Sequence, residues 1–449
     1  MSKKKILVIG SAFALGTALA FAQTPPVAGR PAEPQPVGFA GCARQADGKV
    51  ILASTVEGQV AGRPARWIVL ERQDENGRQD DRFGTLGKAS LQIADADASA
   101  VGLALLGDGR IVVAGTANRH ASTTGTDALV ARFLPNGELD RAFAGRGWLV
   151  EDFGGNHDTM AGLDTDGQGG IFLAGSSLRP WLAVTSRYDF SAARVAADGS
   201  FDPRFGKAGK AFVRAGSVSD DGGGAVVVAP DGGVLLAGYS RHSSTPDFTV
   251  VRLTATGSRD IRFGTLGWKI LRLSEKGSQA NAVALQPDGK VVSVGNYVRE
   301  RKSPGLKAIA VRLAANGAFD GAFAEDGIAE LKLPDEEPAS FERVAMQGDG
   351  RILAAGVAIG KEGQRKILVA RLLPDGKPDL AFGAKGEVRI ALDGRDAEVR
   401  SLIVQPDGKI LVCGQTRSPQ QAAPRAGRFV LRLAPDGRAA SPPDAGSTP

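Results

Sequence analysis

The stretch "LQPDGKVVSVG", Leu285 to Gly295, sets an apolar run on either side of an Asp-Gly pair. Near-copies stand at Val228–Gly238 ("VAPDGGVLLAG"), Met346–Gly356 ("MQGDGRILAAG") and Val404–Gly414 ("VQPDGKILVCG"). Aligned on the aspartate, counterparts fall at Asp47, Asp108, Asp166, Asp231, Asp288, Asp349 and Asp407, so the chain repeats about every sixty residues. A second anchor is an arginine closing a later apolar run: Arg72, Arg132, Arg194, Arg252, Arg312, Arg371 and Arg432. In the first six units an aspartate follows that arginine by eight residues, a phenylalanine by eleven and a glycine by fifteen. "RLAANGAFDGAFAEDG" (Arg312–Gly327) shows the whole pattern.

Each unit parses into four short extended runs with turn signals between them, as in "NAVALQ", "KVVSVG", "AIAVRL" and "IAELKL" of the fifth. Asp-Gly between apolar runs is a hairpin signal, because both residues tolerate positive φ. The middle runs do not alternate between apolar and polar, which is how strands covered on both faces read. Four antiparallel strands, buried on both faces and repeated, predict an all-β, seven-bladed β-propeller over residues 38–438. A linear β-solenoid is the competing architecture, but its coils are shorter and lack this hairpin chemistry. The seventh unit stops after "RLAPDGRAA" with no Phe-Gly turn, so the last blade is expected to hold three strands. The repeated Arg and Asp are expected to pair across their turn, and the repeated phenylalanines to wedge against the neighbouring blade.

The motif string resembles the delta-60 repeat family, whose units run roughly "PDGKILVAG…ARL..DG.LD.FG..G". The resemblance covers about residues 40–440. It implies an exported bacterial protein of propeller-like architecture, and it carries over no catalytic residue.

The N-terminus, "MSKKKILVIGSAFALGTALAFAQ", has three lysines, an apolar run and a small-x-small ending. It reads as a signal peptide over residues 1–22, cleaved after Ala22. No later segment is apolar enough to span a bilayer. The predicted location is the periplasm or the extracellular space. The whole chain carries +6. Removing the three signal lysines leaves about +3, too little to argue for a nucleic-acid partner. A Pro-rich segment, 23–37, is a candidate latch supplying the missing outer strand of the last blade. Residues 439–449 read as a disordered tail, and a monomer is expected.

Cys42 and Cys413 fall in blades that ring closure makes neighbours. A two-residue Asp-Gly turn directs both to the same type of blade face and keeps them apart. A three-residue bulged turn lets them meet.

Function is expected on the rim carrying the loops that vary between repeats. Those loops alternate basic and acidic. The strongest basic stretch is "NYVRERK", with Arg299, Arg301 and Lys302, and the aromatics on that rim are Trp181, Tyr239 and Tyr297. Counting nine residues back from each turn aspartate places Ser99, His157, Gly222, Gln279, Ser340 and Glu398 at the channel mouth. His157, beside Asp158, and Glu398 are the possible members of an acid-base set there. Asp164-Thr165-Asp166-Gly167 begins like a calcium loop but lacks the distal glutamate. No nucleotide, hydrolase or zinc-protease motif appears, so neither a catalytic set nor a metal or other cofactor is predicted. The sequence favours a non-catalytic binding or scaffold propeller for a protein or a carbohydrate. The alternative is a lyase or hydrolase acting on an acidic polysaccharide.

Overall fold

The computed structural model describes residues 34–119, 125–153, 158–181, 185–216, 220–242, 245–299, 305–333, 336–418, 427–439 and 444–445 of the 449-residue chain. They form seven four-stranded antiparallel sheets, each in simple meander order, with no α-helix among the described residues. The innermost strands are Gln35–Arg44, Ala96–Leu105, Asp158–Thr165, Asp220–Val228, Ser278–Leu285, Ala339–Met346 and Asp396–Val404. Each lies against the innermost strands of the blades before and after it, and the seventh lies against the first. This is the closed propeller ring, with a channel along its axis.

The hairpin between the first two strands is a three-residue bulged turn rather than a two-residue one. In blade one, Gly48 N–H donates to Gln45 O at 3.0 Å and Gln45 N–H donates to Lys49 O at 2.8 Å. Gly48 alone takes the left-handed conformation, φ 89°. Asp47 keeps an ordinary backbone and accepts the Lys49 N–H at 3.1 Å. Pairing registers also correct the third repeat. Asp166 pairs across the turn with Gly170, as Gln286 does with Lys290 in blade five, so Gln168-Gly169 occupies the place of Asp-Gly there. The visible Asp166-Gly167 lies two residues upstream of its apparent counterparts.

Every innermost strand carries a register shift near its start, leaving Ala40, Val101, Ala161, Gly224, Asn281, Glu342 and Arg400 as extra residues. The shift also explains the glycine closing the opening motif. A side chain at Gly295 would place its Cβ 2.0 Å from the Gln279 carbonyl oxygen.

Between blades lie seven apolar clusters, one per junction. The repeated phenylalanines Phe83, Phe143, Phe205, Phe263, Phe323 and Phe382 are each buried in one of the first six. Beside four of them, in blades one, two, five and six, the repeated arginine spans the junction. In blade two, Arg132 Nε donates to Asp140 at 2.7 Å, and its guanidinium stands 4.7 Å over the Phe143 ring. Its Nη1 donates to Ala197 O of blade three at 2.5 Å. Arg72 does the same to Asp80, Phe83 and Pro135 O, and Arg312 to Asp320, Phe323 and Pro374 O. The residue after each phenylalanine adds a backbone bond to the next blade, as Gly84 N–H to Asn136 O at 2.7 Å.

The seventh junction is built differently, because blade seven lacks the Asp and Phe of that motif. Its cluster is the smallest: Phe39, Cys42, Val50, Leu52, Leu411, Cys413 and Val430. Cys42 and Cys413 form a disulfide with Cα atoms 6.1 Å apart, the geometry a three-residue turn allows. Cys42 N–H donates to Ser401 Oγ at 2.9 Å, Phe39 N–H to Gln415 Oε1 at 3.1 Å, and Arg428 pairs with Glu71. Of the Pro-rich segment expected as a latch, only residues 34–37 are described. Gln35 and Pro36 start the inner strand of blade one, paired with Glu57 and Val56, and residues 23–33 lie outside the described residues. Blade seven has three full strands, and among the described residues its outer position holds Asp444–Ala445, paired with Val430 and Phe429. That pair comes from the tail expected to be disordered.

Removing a buried guanidinium strands its carboxylate and the facing carbonyl. Arg132→Ala should therefore lower unfolding free energy by about 3–5 kcal/mol in urea titration, with little rescue by Arg132→Lys. A loss below about 1 kcal/mol would show that the junction holds without its arginine. The Cys42→Ser/Cys413→Ser double variant should lose about 2–5 kcal/mol. Its amide exchange should quicken first in the inner strands of blades one and seven. Uniform quickening around the ring would contradict a local closing role.

Candidate functional site: the channel mouth on the variable rim

The channel widens into two cavities. One, of about 650 Å³, opens among the starts of the innermost strands and the ends of the second strands, on the side of the variable loops. The other, of about 950 Å³, faces the Asp-Gly turns. Both are bounded by Ala40, Val101, Ala161, Gly224, Asn281, Arg343 and Arg400, which are the bulge residues except in blade six, where Arg343 follows the bulged Glu342; this ring is the waist between them.

The mouth is stitched by side chains reaching from one blade to the next. The bulge turns an inner-strand N–H toward the preceding blade, where a second-strand side chain takes it. Thr55 Oγ1 accepts from Ala100 at 3.0 Å, Ser176 Oγ from Gly223 at 2.9 Å, and Gln415 Oε1 from Phe39. In blade six that second-strand position is Val357, which cannot accept. Glu342 replaces it, taking the Val399 N–H at 2.9 Å. Blade five reaches forward with amides: Asn281 Nδ2 donates to Phe341 O at 2.7 Å and Asn296 Nδ2 to Ser340 Oγ at 2.9 Å. Gln279 Nε2 in turn donates to Asn281 Oδ1 at 2.6 Å.

Charge in the mouth sits on one arc, blades six and seven. Arg400 Nη2 pairs with Glu398 at 2.5 Å and Arg417 stands 3.7 Å from the same carboxylate, which also accepts from Gln415. Arg365 pairs with Glu342 at 3.4 Å. Arg343 donates only to backbone, Nε to Arg400 O at 2.7 Å and Nη1 to Glu342 O at 2.6 Å. Burial raises the pKa of Glu342 and lowers that of Arg343, the latter pushed further by Arg400. Across the mouth, the Tyr239 ring occupies the space that Gly222 leaves by having no side chain.

Of the residues placed at the mouth by counting, Gly222, Gln279, Ser340 and Glu398 line it. Ser99 does not, its neighbours Ala100 and Val101 doing so instead. His157 is displaced by the third-repeat correction: the equivalent residue is Thr159, which lines the mouth, while His157 lies outside the described residues. Its neighbour Asp158 is buried and not oriented to the channel, for its Oδ2 accepts the Phe153 N–H at 2.7 Å. Asp164 is also used internally, accepting from Val228 and Thr165.

The rim candidates do not converge. Arg299 pairs with Glu336 at 3.6 Å, and Arg301 and Lys302 lie outside the described residues. Tyr297 donates to Glu330 at 2.5 Å, and burial, with that carboxylate, raises its pKa to about 12. Trp181 ends the second strand of blade three, its side chain outside the described set. Tyr239 is the one rim aromatic that lines the mouth. Elsewhere the rim cross-pairs: Asp97, Asp220 and Asp396 accept backbone N–H groups of Arg66, Tyr188 and Arg365.

Seven antiparallel blades about a channel define the class, a seven-bladed β-propeller. Residues 106–143, 229–263, 347–382 and 405–438 match the family described as a domain of unknown function (DUF5122), beta-propeller. These matches fall in blades two, four, six and seven. No curated protein matches it. Among solved structures, a PL25 ulvan lyase bound to -[GlcA(1-4)Rha3S]- superposes with TM-score 0.50 at 10% identity, covering 90% of this chain and 94% of that one. The acylaminoacyl peptidase of Pyrococcus horikoshii gives 0.41 at 10% identity, with 90% of this chain and 52% of that one covered. The GH74 xyloglucanase of Xanthomonas campestris gives 0.38 at 16%, with 88% and 57% covered. These are likenesses of fold.

Burial, the largest effect on Asp158, raises its pKa from 3.8 to about 6. A raised folded-state value means that the stability it supplies is complete below about pH 3.8 and is lost as pH rises through 6. Asp158→Asn should therefore be more stable than wild type by about 2–3 kcal/mol above pH 7. It should also flatten the fall in urea midpoint between pH 4 and 7. An unchanged pH slope would remove Asp158 as its source.

Proposed function

We propose that the protein is an exported, non-catalytic binding propeller that takes the end of a carbohydrate into its channel mouth on the variable rim. The observation that carries this reading is the composition of the mouth. Gln279, Asn281, Asn296, Ser340, Gln415, Glu398 and Tyr239 converge on one cavity of about 650 Å³. Amides and hydroxyls both donate and accept, as sugar hydroxyls require, and Tyr239 adds an aromatic body with a polar tip. The volume suits a small ligand or a chain end rather than a folded partner. Among the described residues the rim has charges already paired, as Arg299 with Glu336 and Arg66 with Glu57, which supports this choice over a protein ligand. Export rests on the N-terminal sequence, and the closing disulfide supports it, since such bonds persist in oxidising compartments.

A calorimetric screen of neutral and acidic oligosaccharides against the mature protein tests the reading. Tyr239→Ala/Asn296→Ala should bind a retained ligand about 10- to 100-fold more weakly, the worth of one or two lost contacts. Absence of saccharide binding would overturn it. Chain cleavage, seen as new reducing or unsaturated ends, would replace it with the lyase or hydrolase reading.

A further inference from the structure

The bulge ring at the channel waist is built from small or neutral residues on blades one to five and from charged ones on blades six and seven. Arg343 and Arg400 both line the cavity above the waist and the one below it. Their surroundings hold more positive charge than negative: the guanidiniums of Arg343, Arg365, Arg400 and Arg417 share two carboxylates, Glu342 and Glu398. Each carboxylate is already engaged. Glu342 accepts from Val399 N–H and Arg365, and Glu398 from Arg400 and Gln415 with Arg417 close by. Arg343 is anchored through backbone carbonyls alone and has no carboxylate in ion-pair range among the described residues. Arg400 Nε is buried with no hydrogen-bond partner. A guanidinium taken out of water without its counter-charge is costly, and planar N–H pairs fit oxyanions in two-point contacts.

We infer that the Arg343–Arg400 pair at the channel waist is a binding site for an oxyanion, a carboxylate or sulfate group. Resting on the carbohydrate reading above, the group is that of an acidic sugar entering from the mouth. The backbone bonds of Arg343 fix its guanidinium before the ligand arrives, so little side-chain entropy is lost on binding. The neutral waist of the other five blades leaves room for the sugar without competing for the charge.

The test uses glucuronate, glucose and inorganic sulfate as probes, read by calorimetry and by the shift in thermal midpoint. Arg400→Met retains the backbone carbonyl that holds Arg343. It is therefore the primary variant, with Arg343→Lys as the second and the midpoint without ligand as the folding control. Wild type should bind glucuronate at least tenfold more tightly than glucose, and Arg400→Met should lose that preference while its glucose affinity stays put. Sulfate binding that is lost in Arg400→Met, with no saccharide bound, would uphold the oxyanion site while removing the carbohydrate reading. Saccharide binding indifferent to charge and to both substitutions would overturn the oxyanion site and leave the carbohydrate reading standing. No effect of sulfate or glucuronate on the folded wild type would likewise overturn the site.

Discussion

The ring depends on one side chain used in three directions at once. In blades one, two, five and six the third-strand arginine neutralises the aspartate eight residues on, lies over the phenylalanine eleven residues on, and donates to a carbonyl of the following blade; in blades three and four it keeps the aspartate. Each of these alone is a modest interaction. Together they occupy a group that would otherwise be buried at great cost, and they fix the angle between two sheets that touch only through apolar side chains. Apolar packing is tolerant of sliding, whereas a guanidinium held by a carboxylate on one blade and a carbonyl on the next is not. The clamp thus specifies how far each blade is turned relative to its neighbour.

The device is incomplete in blade seven. Blade seven supplies Arg432 but neither the aspartate nor the phenylalanine that would complete the motif. Its junction with blade one is also the least apolar in extent. Covalent closure stands in for both deficits. The Cys42–Cys413 bond joins residues 371 apart in sequence, so it removes much of the freedom of an open chain of blades.

The repeat made the fold legible because each blade solves the same packing problem with the same residues. Seven Asp-Gly pairs, six Arg–Asp–Phe spacings and the two-faced strands all pointed to one architecture. Legibility failed where a local motif imitated the anchor. "DTDGQGG" offers Asp166-Gly167 two residues before the true turn, and that shift made His157 look like a mouth residue in place of Thr159. Strand bulges were invisible for another reason: an extra residue changes no composition, only register. Asn281, Glu342 and Arg400 were missed because they sit on those bulges. Their column reads Ala40, Val101, Ala161, Gly224 and then Asn, Glu and Arg. That break from small to polar was the available signal.

Residues that recur around the ring serve the ring, and the departures from recurrence show where symmetry has been spent on something else. The clamp is complete on Arg72, Arg132, Arg312 and Arg371, yet the mouth follows no such repeat: amides gather on blade five, charge on blades six and seven, an aromatic on blade four. A scaffold role alone would give no reason to place guanidiniums on the axis, since an apolar residue at positions 343 and 400 would fill the waist without desolvating a charge. Nor does stitching the blades require them. Thr55, Ser176 and Gln415 make the same blade-to-blade bond with neutral groups. Guanidiniums lining an open channel are available to a ligand of opposite charge, the role inferred for them above.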